Sequence, residues 1–220
     1  MGRICAAIDA DGWCRQAARY DSPNFDTRPA GSEVELLVVH NISLPAGHFG
    51  GPHIADLFTN RVDFAAHPSF AHLRGVTVSA HFLVRRDGAV LQFVSCNARA
   101  WHAGQSRFGA RAQCNDFSVG VELEGSDFVA FAPAQYEALA ALTLALAARY
   151  GRLGAVLGHE HVAPGRKSDP GPFFDWDLFA ARLMQCAAQA PENGTGLVPA
   201  HRLVGLFSAL PKVKGEREKK

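Results

Sequence analysis

Residues 35–40 read ELLVVH, and the fold turns on this run. From Val34 to Val39 the side chains are apolar but for Glu35. That is short for a helix and rich in branched residues, as a buried central strand requires. The run ends in the polar pair His40–Asn41, where a strand leaves its sheet and its side chains become free for chemistry. Far along the chain, GHEHVAPGRKSDPGP (residues 158–172) brings His159, Lys167 and Asp169 close together in sequence. Two imidazoles and a carboxylate suit zinc, and three protein ligands leave a fourth position open, as in catalytic rather than structural sites. His40, His159 and Asp169 therefore point toward metal-assisted hydrolysis. Pro164, Gly165, Pro170 and Gly171 break the second segment, so these ligands meet through a shaped loop and not along one helix face.

Working outward, Pro52–Phe58 reads as a short helix entered through proline. VSAHFLVRRDGAVLQFVS (78–95) reads as a hairpin turning at Asp87–Gly88. Ser118–Leu123 alternates Val119, Val121 and Leu123 with Gly120 and Glu122, so one strand face is apolar and the other can line a cleft. PAQYEALAALTLALAARYG (133–151) is a helix apolar nearly all round, suited to packing on a sheet, and a second helix spans Trp176 to about Ala188. Helices covering a central mixed β-sheet give an α/β (α+β) domain.

The 220 residues are 48% apolar and 20% charged, enough for one sizeable core. We expect one domain over 1–188, with an irregular lead-in to about residue 33, then a linker and extension over 189–220. In that extension PENGTG reads as flexible, and Leu203, Leu206, Phe207 and Leu210 have helical spacing, as for a short helix docked on its own domain before a disordered tail. The last nine residues, KVKGEREKK, carry five basic and two acidic side chains, which leaves the remainder near −2 and without a nucleic-acid surface. Five scattered cysteines (5, 14, 96, 114 and 186) lack a CxxC pair and fit a reducing compartment. Asp9 and Asp11 interrupt any N-terminal signal, and no run reaches the roughly 18 to 20 apolar residues of a membrane span. A cytoplasmic monomer with no stable membrane insertion is the expectation.

Several motifs, in order, resemble those of the AmpD-type 1,6-anhydro-N-acetylmuramoyl-L-alanine amidases: VVHNISLPAGHFGGPHI (38–54), SAHFLVRRDG (79–88), RAWHAG (99–104), CNDFSVGVELEG (114–125) and GHEHVAPGRKSDPGPFFDW (158–176). The likeness runs from about Asp11 to Leu183. It implies the fold of the phage-lysozyme-type and peptidoglycan-recognition amidases, a mixed sheet flanked by helices with zinc at the bottom of a groove. It also implies that His40, His159 and Asp169 hold Zn2+, that Glu122 is the general base, and that Lys167 stabilises charge in the transition state. Strand periodicity alone leaves Glu122 and Glu124 equivalent, because both lie on one face; the resemblance selects Glu122.

Asn41, Trp101, His102, Arg111 and Asn115 are the expected substrate contacts, with His102 equally able to stand behind a metal ligand. Thr77 stands where some relatives carry arginine, and Gln113 where the resemblance leads one to expect it, although Arg74 and Arg111 lie nearby. The implied substrate is a muropeptide, cleaved between (1,6-anhydro-)N-acetylmuramic acid and L-alanine during peptidoglycan recycling. A broader peptidoglycan amidase is the alternative. A non-catalytic peptidoglycan-recognition module is a third reading, and the presence of all three ligand residues and Glu122 weighs against it.

Overall fold

The strand expected at Val34–Val39 runs from Leu36 to Ile42 in the computed structural model, which describes residues 6–190 and 198–210. In chain order the elements are β1 (Ala18–Arg19), β2 (Phe25–Asp26), β3 (Leu36–Ile42), α1 (His53–Phe58), β4 (Phe82–Val84), β5 (Val90–Gln92), β6 (Arg99–Ala100), β7 (Arg107–Phe108), β8 (Arg111–Ala112), β9 (Ser118–Glu124), α2 (Pro133–Arg149), β10 (Ala155–Gly158), α3 (His159–Val162), α4 (Trp176–Ala188) and α5 (Ala200–Gly205). The main sheet has the order β1-β5-β4-β9-β3-β10. Strands β10, β3, β9 and β4 are mutually parallel, β4 and β5 form the antiparallel hairpin, and β1 joins β5 in parallel. The sheet is therefore mixed, as expected.

Alternation along the central strands sorts the core. Leu37, Val39, Val119, Val121 and Leu123 face α2 and α4 in the larger cluster, while Leu36 and Val38 pack on the other side with Ala103, Phe117, Leu157 and Val162. The Ala- and Leu-rich α2 buries Leu139, Leu142 and Leu146 against the sheet. Each such leucine contributes about 1.5–3 kcal/mol by leaving water. Its one buried amide is satisfied: Gln135 donates to the carbonyls of Val84 and Glu124 and accepts from Ala132 N–H. Helix α4 starts at Trp176 because the Asp175 side chain accepts from Leu178 N–H, an N-cap.

Two-residue strands such as β2, β6, β7 and β8, and the 3-10 turns Pro68–Leu73 and Cys114–Asp116, were not anticipated, because pieces this short carry no periodicity. The lead-in, expected to be irregular, supplies β1 at the edge of the main sheet and β2 against β6, and is anchored elsewhere by a side chain. Arg28 is buried and donates to the carbonyls of Cys96, Asn115, Asp116 and Ser118. Past α4, Leu203 and Leu206 are buried in the larger cluster, and Phe207 packs on Phe179. The PENGTG segment and the charged end from residue 211 lie outside the described residues. Among the described residues no helix is long and apolar enough to cross a membrane.

Candidate metal centre

Three parallel neighbours, β10, β3 and β9, end at the same edge of the sheet. The register pairs His40 with Glu122 across β3 and β9, and Gly158 with Val39 across β10 and β3, so His159 follows directly at the start of α3. The carboxyl ends of parallel strands are where open α/β sheets place ligands. Asp169 arrives from the loop after α3, which is tied back by Glu160 N–H donating to the Asp169 carbonyl. Gly158 allows the loop in: a Cβ there would stand 2.6 Å from Pro170 Cδ.

His40 Nδ1, His159 Nδ1 and Asp169 Oδ2 converge, with separations of 3.0 Å between the imidazoles and 2.9 and 3.0 Å from each imidazole to the carboxylate. Both histidines are buried. The three side chains form a group able to hold a metal ion. Burial pushes the His40 imidazole down to about 4, against the raising influence of Asp169. Burial alone would raise the Asp169 carboxyl, yet the hydrogen bonds with His159 and His40 hold it well below the usual carboxylate range. A neutral His40 imidazole beside an ionised Asp169 carboxylate is the pairing of protonation states that cation binding needs.

The neighbouring glutamates, equivalent by periodicity, differ in the structure. Glu124 is committed: its Oε1 accepts from Gly50 N–H at 2.6 Å, its Oε2 from Arg86 N–H at 3.2 Å, and Arg85 lies 3.9 Å away. Glu122 is buried, and its Oε2 has no hydrogen-bond partner among the described residues. Burial raises its carboxyl well above the usual range, Asp169 adds to the shift, and the Lys167 ammonium opposes it. An unpaired buried carboxyl is costly to keep, so such groups gather where chemistry uses them. Lys167 is exposed, on the turn closed by its own N–H to the Ala163 carbonyl. Its charge reaches both Glu122 and His40.

The expected substrate contacts separate. Asn41 donates to Asp127 Oδ1 and the Pro170 carbonyl, tying the strand end to two loops. Trp101 Nε1 donates to Asp26, and Arg111 pairs with Glu35 while lying over the Phe117 ring. Asn115 is buried, with its Oδ1 accepting from the N–H groups of His102 and Ala103. His102 Nδ1 lies 2.9 Å from His40 Nε2, and its own Nε2 is 3.2 Å from Ser118 Oγ, so this ring stands behind a cluster histidine. His161 points elsewhere, accepting from Gly158 N–H and packing on Trp176. The sequence reading missed Ser118, Asp127 and the Ala103 carbonyl that His159 Nε2 meets at 3.0 Å. A backbone carbonyl has no sequence signature; the glycine inside β9 was a usable signal of close approach.

The sequence model of the N-acetylmuramoyl-L-alanine amidase family matches residues 30–172. The chain belongs to this amidase family. Among curated amidases, it is 53% identical over 172 residues to the 1,6-anhydro-N-acetylmuramyl-L-alanine amidase AmpD of Citrobacter freundii, covering 78% of this chain and 92% of that one. It is also 53% identical over 169 residues to AmpD of Escherichia coli K12, covering 76% and 92%. Among solved amidases, the crystal structure of a selenomethionine AmpD derivative superposes with a TM-score of 0.77 at 52% identity, covering 79% of this chain and 97% of that one. AmpDh3 from Pseudomonas aeruginosa, solved in complex with anhydromuramic pentapeptide, gives 0.52 at 29% identity, covering 71% and 62%. This chain thus shares the amidase fold, the mixed sheet with flanking helices described above.

Proposed function

We propose that the chain is a zinc-dependent amidase of peptidoglycan recycling, hydrolysing the amide between the lactyl group of 1,6-anhydro-N-acetylmuramic acid and the L-alanine of the stem peptide. The observation that carries the reading is the convergence of His40 Nδ1, His159 Nδ1 and Asp169 Oδ2 beside the unpaired Glu122. Two imidazole nitrogens and one carboxylate oxygen are the donor set of a catalytic zinc site with a free fourth position. A bound zinc ion supplies Lewis acidity and makes water acidic enough to act near neutral pH.

The residues of the chain do the rest. Glu122 takes a proton as water oxygen bonds to the amide carbonyl carbon, and the same carboxyl returns it to the nitrogen as the C–N bond breaks. The products are a muramic-acid carboxylate and the free amine of the peptide. Lys167, exposed at the rim, places positive charge where the carbonyl oxygen gains negative charge. A cytoplasmic monomer acting on soluble muropeptide completes the proposal; the free, buried thiols of Cys14, Cys96 and Cys114 support the reducing compartment.

The test is hydrolysis of matched anhydro-muramoyl and reducing muramoyl tripeptides, with Glu122→Ala as control. Preference for the anhydro sugar, abolished by the substitution, supports the proposal. Equal cleavage of both favours the broader peptidoglycan amidase, and binding without cleavage the recognition module.

A further inference from the structure

His159 Nε2 meets the Ala103 carbonyl at 3.0 Å. A carbonyl only accepts, so that nitrogen carries the ring proton and Nδ1 turns a lone pair toward the cluster. Arg166 Nη2 is also 3.2 Å from this nitrogen, but it directs its two protons at the carbonyls of Ala103 (2.6 Å) and Gln105 (2.7 Å). His40 Nε2 meets His102 Nδ1 at 2.9 Å, and His102 Nε2 can donate in turn to Ser118 Oγ. Both ring contacts come from adjacent residues, His102 and Ala103, of a single loop.

Arg166 holds the carbonyls of that loop, and Asn115 holds its N–H groups at His102 and Ala103. Asn115 Oδ1 accepts from His102 N–H at 3.3 Å and from Ala103 N–H at 2.8 Å, while Arg28 Nη1 donates to the Asn115 carbonyl at 3.0 Å. The His102 ring fits in place because residue 120 is glycine: a Cβ there would lie 2.6 Å from Nδ1 and 2.7 Å from Cδ2.

We infer that Asn115 and His102 are positioning residues for the metal: the loop they organise sets both histidines in the tautomer that presents Nδ1. This rests on the proposed metal centre. Neither residue touches substrate or metal in this account. Asn115 acts through the loop, and His102 through the back of the His40 ring. Such partners behind metal ligands typically change metal affinity by 10–100-fold.

The experiment measures zinc affinity of the full chain by chelator competition for wild type, Asn115→Ala, His102→Ala and His102→Asn, beside urea unfolding with excess chelator. Asparagine can offer its Oδ1 near the position of Nδ1, keeping the acceptor for His40. The expected result is a zinc affinity lowered about 10–100-fold in both alanine variants and largely restored in His102→Asn. Wild-type affinity in folded Asn115→Ala and His102→Ala would overturn the inference while leaving the metal centre intact. Failure of wild type to bind zinc would overturn the metal centre itself. Nitrogen NMR of zinc-loaded wild type decides independently of variant folding: His40 and His159 should both be bound through Nδ1 and protonated at Nε2, and binding of either through Nε2 contradicts the inference.

Discussion

Gly120→Ala adds one methyl group to the middle of β9, and in most strands that change helps, since glycine is roughly 0.5–1 kcal/mol worse than alanine there. Here the new Cβ would stand 2.6 Å from His102 Nδ1 and 2.7 Å from Cδ2. Overpacking of this kind costs about 1–3 kcal/mol. If the ring swings away instead, it abandons its contacts with His40 and Ser118, at about 1 kcal/mol each. Set against the gain in chain entropy, the net loss should be about 1–2 kcal/mol by either route. Urea unfolding with excess chelator reads this loss free of any metal contribution. In a His102→Ala background the obstacle is gone, so the same methyl should be neutral or stabilising, giving a coupling of about 2 kcal/mol between the two sites. The displaced ring should also weaken zinc binding about tenfold or more. Equal effects of Gly120→Ala in both backgrounds would refute the reasoning.

Glu122→Gln should lower turnover by about 10²–10⁴-fold, measured by product chromatography, because it removes the proposed base. Unfolding should show no loss of stability, since an amide is easier than an unpaired carboxyl to keep buried. Lys167→Ala should lower kcat about 100-fold with zinc affinity kept, checked by pairing kinetics with metal titration. His81 is buried, with Nδ1 accepting from Gly120 N–H and Nε2 facing the Ala98 carbonyl, so it is held neutral, and burial pushes it down to about 3 from an ordinary 6.5. Below pH 6.5 the unfolded chain takes up a proton that the native ring refuses, so its contribution is full above 6.5 and lost as pH falls toward 3. His81→Asn should therefore flatten the stability–pH slope between pH 6 and 4 by about 1.4 kcal/mol per unit, read by urea unfolding at each pH.

What was legible in the sequence followed from periodicity and punctuation. Helix α4 came out at its observed span, Trp176–Ala188, because Asp175 caps it, and the hairpin was readable because Gly88 has a positive φ of 84°. The strand bearing His40 extends to Ile42, beyond the expected Val39, because pairing with β9 continues past the apolar run. The residues of the cluster were legible through the resemblance, whereas their convergence through Nδ1 was not. It depends on a loop whose contacts run through the backbone of Ala103 and the side chain of Asn115. The resemblance chose Glu122 over Glu124, but the physical reason needed the fold, since only three-dimensional neighbours reveal that Glu124 is occupied by Gly50 and Arg86.

The central claim is that His40, His159 and Asp169 hold the one zinc ion on which amide hydrolysis depends. The most direct measurement strips the protein with a chelator and titrates zinc back while following bound metal and cleavage of anhydro-muramoyl tripeptide together. Both signals should rise in step to one equivalent, and both should be lost in His159→Ala. Full cleavage by the stripped protein, or by His159→Ala without metal, would contradict the account.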